Sequence, residues 1–142
     1  MDFDYSPRVK ALSKQLQTFM DTHVWPANAK YMRICDSGTY PEALIDDLKT
    51  KAKAARLWNM FLPALTDDEP GTRLSNLEYA PMAEIMGRLP WASEVFNCNA
   101  PDTGNMEILH MFATSEQRER WLLPLMNGEI RSGVSITEPD EA

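Results

Sequence analysis

Cysteine is scarce in this sequence. Cys35 and Cys98 stand far apart in 142 residues, with no CxxC spacing. That excludes a disulfide framework and a cysteine-based zinc site, and it makes a reducing compartment the default. His23 and His110 are the two histidines, distant from one another and outside any HExxH-like context, so no metal site is expected. Basic residues are outnumbered, 14 Lys and Arg against 21 Asp and Glu, for a formal net charge of −7. They are also dispersed along the chain. Nucleic-acid binding, which needs a basic footprint, is not expected, nor is a polybasic membrane patch. Long hydrophobic runs are missing as well. The longest uncharged stretch, Leu57 to Leu65, contains Pro63 and falls far short of the ~20 residues that span a bilayer. The opening Met1-Asp2-Phe3-Asp4-Tyr5 is acidic and lacks the apolar core of a signal peptide. A soluble, cytoplasmic protein is the expectation.

What is present is ordinary globular material, 44% hydrophobic and 25% charged, with length enough for one domain and a sizeable core. No repeat or low-complexity segment interrupts it. Ser6 followed by Pro7 marks a helix start, and Val9, Leu12, Leu16, Phe19 and Met20 recur at helical spacing behind it. Trp25-Pro26 is expected to end or bend that helix. A second helix opens at Pro41. It carries Leu44, Ile45, Leu48 and Ala52 on one face, with Asp46, Asp47, Lys49 and Lys51 on a face expected to be solvated. Ser75-Asn76-Leu77-Glu78 is a capping box that opens a third helix, in which Pro81 predicts a kink or a later start. Further helices are expected over 93–99 and from about Thr103 to Phe112. Another follows the second capping box, Thr114-Ser115-Glu116-Gln117, with Trp121, Leu122 and Leu125 as its buried side and Pro124 and Asn127-Gly128 as its stop.

From Ile130 to Thr137 the period changes. Val134 and Ile136 alternate with serines, which reads as one strand, broken by Glu138-Pro139-Asp140. A single strand needs partners for its backbone groups, so a strand placed here predicts further sequence that completes a sheet.

Ala100-Pro101-Asp102-Thr103-Gly104-Asn105-Met106-Glu107 is followed by Glu116-Gln117 with Trp121-Leu122 and Pro124-Leu125. In these motifs the run from Asn99 onward resembles the acyl-CoA dehydrogenase superfamily. The resemblance continues in Gly128-Glu129-Ile130-Arg131-Ser132 and Ile136-Thr137-Glu138-Pro139, with Asn76-Leu77-Glu78-Tyr79 and Glu84-Ile85-Met86-Gly87-Arg88 as further matches upstream. The dialect is similar to the long-chain and hydroxyacyl-CoA branch.

The resemblance implies a mostly α fold: the N-terminal helical domain of the acyl-CoA dehydrogenase fold, about five to six helices over 1–129, then the first strand of a truncated β-domain over 130–142. It implies noncovalent FAD, an acyl-CoA substrate oxidised to 2,3-enoyl-CoA in fatty acid β-oxidation, and an electron-transfer flavoprotein as acceptor. It also implies a homo-oligomer when complete. Carried over by position, Val134, Ile136 and Thr137 contact the flavin, although Val134 replaces an aromatic residue often found there. Glu94, Asn97 and Met106 are the candidates for the wall of the acyl-chain pocket. No carboxylate of this chain matches the family's catalytic base, so no catalytic residue is assigned, and the isolated chain is expected to be inactive. Two other readings stay open: a stand-alone helical module that completes or scaffolds a split dehydrogenase, and a relative that hydroxylates or oxidises with O2.

Overall fold

A computed structural model of the chain describes residues 4–137. Residue contacts divide the chain into two compact units, Met1–Cys98 and Asn99–Ala142.

In the first unit, α1 (Pro7–Phe19) starts where its cap residue dictates. The Ser6 hydroxyl accepts the Val9 N–H at 3.3 Å, and Pro7 takes the first helical position, where a missing N–H is harmless. Val9, Leu16 and Phe19 are buried along one side. The chain does not stop at Trp25-Pro26. It widens into a π-helical turn, Met20–Val24, closed by the Trp25 N–H bonding five residues back to the Met20 carbonyl, and then runs on as α2 (Trp25–Asp36). A π turn redistributes the carbonyls that a proline ring would otherwise strike, so the helix passes Pro26 instead of ending there.

Helix α3 (Glu42–Ala54) buries Ile45, Leu48 and Ala52 as their spacing predicts. Lys49 departs from the expectation of a solvated face: it is 8% exposed, with its ammonium 3.9 Å from the Glu94 carboxylate. The apolar run after α3 has no regular secondary structure yet forms core, with Leu57, Met60, Phe61, Leu62 and Leu65 all buried. Helix α4 (Asn76–Met86) begins at its capping box and continues through Pro81 without a delayed start. The bond Pro81 cannot donate falls at the first turn, beside the exposed Leu77. The short α5 (Ala92–Val95) brings Trp91, Val95 and Phe96 into the core, where Phe96 meets Phe19 edge-on at 5.4 Å and Trp91 stacks on Tyr31 at 4.2 Å.

The α4 cap yields a pH prediction. The Ser75 amide and hydroxyl donate to the Glu78 carboxylate, both at 2.9 Å, and these bonds hold its pKa below the ordinary glutamate value. A depressed carboxylate stabilises the fold above its unfolded pKa of about 4.3 and loses that contribution as pH falls through the folded value. Glu78→Gln is therefore expected to melt below the wild type at neutral pH, with the gap closing on acidification through the carboxylate range. A gap that stays constant with pH in thermal melts would contradict this. Ser75→Ala should cost about 1 kcal/mol at neutral pH.

In the second unit, α6 (Asp102–Phe112) is followed by α7 (Ser115–Gln117), capped by reciprocal bonds between Thr114 and Gln117. Pro124 does not stop this helix. A π turn, Arg118–Leu122, again precedes the proline by two residues and leads into α8 (Leu123–Met126), which ends at Asn127-Gly128. Met106, Leu122, Leu125 and Met126 are buried, whereas Trp121 is 41% exposed and so is not the interior anchor its spacing predicts. The expected strand is also absent: residues 131–137 run without a ladder, because no partner strand lies among the described residues. The Glu138-Pro139-Asp140 turn lies outside the described residues.

Candidate functional site

The predicted site residues fall into three places. Glu94 and Asn97 lie three residues apart in the first unit, Met106 is on α6 in the second, and Val134, Ile136 and Thr137 follow in the extended segment.

Glu94 is 8% exposed. It accepts a short hydrogen bond from the Tyr40 hydroxyl and sits beside Lys49, so a buried carboxylate is matched by a donor and a cation. Asn97 is buried with a left-handed backbone (φ +54°), and its side-chain amide donates to the Asn59 side-chain oxygen at 2.7 Å. Asn59 is left-handed too (φ +48°). Its backbone N–H bonds the Phe96 carbonyl at 3.1 Å and its side chain bonds the Pro70 carbonyl at 2.7 Å. The two asparagines thus fasten the apolar loop after α3 to the chain around Phe96. Asparagine suits both places because it tolerates φ above zero better than other side chains carrying a Cβ.

Next to Asn97, burial pushes the Cys98 thiol up to about 12, despite hydrogen bonds from backbone groups of Phe61 and Met60 that work the other way. Burial likewise raises the neighbouring Tyr79 phenol. A thiol held protonated is a packing group, because nucleophilic cysteine needs the thiolate.

In the second unit Asp102, the first residue of α6, is 1% exposed. One carboxylate oxygen accepts the Ser132 backbone N–H at 2.7 Å and the Ser132 hydroxyl at 2.5 Å. The other accepts the Arg131 Nε–H at 2.8 Å. One turn along, Asn105 donates from its side-chain amide to the Ser132 hydroxyl at 2.8 Å and to the Gly133 carbonyl at 3.3 Å. Three consecutive residues are therefore pinned to the N-terminal end of α6. Beyond them the chain opens to solvent, with Val134 54% and Ile136 83% exposed and Thr137 exposed. Beside this anchor lies a groove of about 320 Å³, walled mainly by Ile108, Leu109, Trp121, Leu125 and Ile130.

Sequence reasoning named Asp102, Asn105, Arg131 and Ser132 as parts of motifs but did not find their mutual contacts. Side chains that meet across thirty residues leave no periodic signal.

Among the described residues, no three or more His, Cys, Asp or Glu side chains gather into a metal-holding group, and no helix is long and apolar enough to cross a membrane.

Comparison with known proteins identifies the class of this helical chain. The acyl-CoA dehydrogenase, N-terminal domain, family matches residues 6–129. The chain belongs to the acyl-CoA dehydrogenase family through that domain. It is 50% identical to acyl-CoA dehydrogenase family member 10 of Mus musculus over 96% of this chain and 13% of that protein. It is 49% identical to FadE2 of Mycobacterium tuberculosis, which bears the acyl-CoA dehydrogenase name, over 98% of this chain and 34% of that protein. A solved structure from Mycobacterium abscessus, assigned to the acyl-CoA dehydrogenases, superposes with a TM-score of 0.82 at 46% identity. It covers 99% of this chain and 36% of that one. The chain thus spans about a third or less of each of these relatives.

Proposed function

We propose that this chain forms the N-terminal helical part of an FAD-dependent acyl-CoA dehydrogenase that oxidises an acyl-CoA to the 2,3-enoyl-CoA, within fatty acid β-oxidation. The family match over residues 6–129 carries the reading. On this reading residues 1–129 belong to the helical domain and 130–142 begin a β-domain.

The residues present fit the cofactor. Val134 and Ile136 offer exposed apolar surface, and Thr137 offers an exposed hydroxyl. The backbone of residues 134–137 carries no ladder among the described residues, so its amides can serve the polar edge of a flavin ring. FAD, when bound, supplies the acceptor for the hydride leaving the β-carbon. The α-proton would go to a carboxylate base, and no carboxylate of this chain matches the family's motif for it, so none is assigned. The chain's own work is to present 134–137 to the ring and to shape the acyl pocket. Glu94, Asn97 and Met106 are the residues we assign to the latter, each buried within its own unit.

Electrons then pass to an electron-transfer flavoprotein, and the enzyme is a soluble cytoplasmic homo-oligomer. The test is product analysis with a dye acceptor. The natural polypeptide carrying this chain, loaded with FAD, is expected to yield 2,3-enoyl-CoA by mass spectrometry, and the 142-residue chain alone to yield none. Turnover by the chain alone, or a hydroxylated product from the whole, would contradict the proposal.

A further inference from the structure

Resting on the flavoenzyme reading above, we propose that Asp102 is a positioning residue whose carboxylate sets the register in which the extended segment 134–137 is presented to the flavin. A carboxylate in the first turn of a helix commonly satisfies that helix's own amides or its dipole. Asp102 is instead turned to residues thirty positions on, where it takes the Ser132 N–H, the Ser132 hydroxyl and the Arg131 Nε–H at 2.5–2.8 Å. Its burial makes these bonds obligatory, because an unmatched carboxylate with 1% exposure is costly. Asn105 completes the clamp from the next turn by holding the Ser132 hydroxyl and the Gly133 carbonyl.

The clamp ends one residue before Val134, and that placement is the substance of the inference. In an extended chain successive side chains point to opposite faces, so a slip of one residue exchanges the faces. Fixing the amide, the hydroxyl and the next carbonyl at residues 132 and 133 decides whether Val134 and Ile136 or Ser135 and Thr137 meet a given surface. Val134 to Thr137 are themselves exposed. Arg131 adds a charged, half-exposed partner on the outer side of the carboxylate.

The test uses the natural polypeptide carrying this chain, with FAD as the probe, and three variants: Asp102→Asn, Ser132→Ala and Asp102→Glu. Circular dichroism verifies folding, and hydrogen exchange reads the amides from 132 to 136. Flavin fluorescence gives the FAD dissociation constant, and the visible spectrum reports the polarity around the ring. Asp102→Asn and Ser132→Ala are expected to speed amide exchange at 132–136, to shift the bound-flavin spectrum, and to weaken FAD binding roughly ten- to a hundredfold. Asp102→Glu should recover part of each. If Asp102→Asn does not fold, Ser132→Ala carries the same expectations, since it removes one hydroxyl and leaves the carboxylate matched by Arg131. Folded variants that keep wild-type FAD affinity, spectrum and exchange overturn the inference alone. A wild-type polypeptide that takes up no FAD overturns the flavoenzyme reading, and the inference with it.

Discussion

Phe96→Ala is expected to destabilise the protein by about 3–5 kcal/mol in chemical denaturation. The ring is fully buried and meets Phe19 edge-on at 5.4 Å. Removing it forfeits the transfer energy of a large aromatic and leaves a cavity that rigid neighbours fill poorly. The Phe96 carbonyl is itself a fixed point, because it receives the Asn59 N–H at 3.1 Å. Relaxation toward the void therefore disturbs the Asn59–Asn97 pair and the wall proposed for the acyl pocket. A loss below about 1 kcal/mol would place the site at the periphery of the core and contradict this packing.

Gly71→Ala should be comparably harmful, at about 2–4 kcal/mol, for a different reason. Gly71 has φ +154°, which side chains rarely accept. A Cβ there would lie 2.7 Å from Leu65 Cδ1, 2.9 Å from Asn59 Cβ and 3.2 Å from the Trp58 carbonyl oxygen. Asn59 and Trp58 are held by their own hydrogen bonds, Trp58 through the Thr72 N–H at 2.8 Å, so neither can retreat without breaking the loop's fastening. Gly38 is the natural comparison: its φ is +78°, but nothing lies within 4 Å of a Cβ built on it. Gly38→Ala should carry only the conformational part, about 1 kcal/mol. Equal effects of the two substitutions in urea melts would show that crowding at Gly71 is not the cause.

What was legible in the sequence is what local chemistry decides. Ser6, Ser75 and Thr114 announce helix starts because a cap is a contract between residues three apart, and all three helices begin there. The prolines were misleading for a related reason. Pro26 and Pro124 break a helical hydrogen-bond pattern locally, but each follows a π turn by two residues, and that accommodation is invisible to a rule about single residues. Lys49 was read as solvated because its partner Glu94 lies 45 residues away on another element. The alternation of Val134 and Ile136 is real, yet alternation marks only a strand's potential, and pairing must come from elsewhere. The motifs around Asp102 and Ser132 were recognisable as family dialect. Their joint geometry, in which one buried carboxylate holds three donors, became readable only with both ends in place.

The central claim is that this chain presents residues 134–137 to the flavin of an acyl-CoA-oxidising enzyme. It is tested most directly by anaerobic titration of the FAD-loaded natural polypeptide with an acyl-CoA, followed at the visible band of the oxidised flavin. The account predicts that the band bleaches stoichiometrically with formation of 2,3-enoyl-CoA, and that Ser132→Ala, folded and loaded with FAD, bleaches more slowly. An FAD-loaded protein whose band is unmoved by acyl-CoAs of any chain length would contradict it.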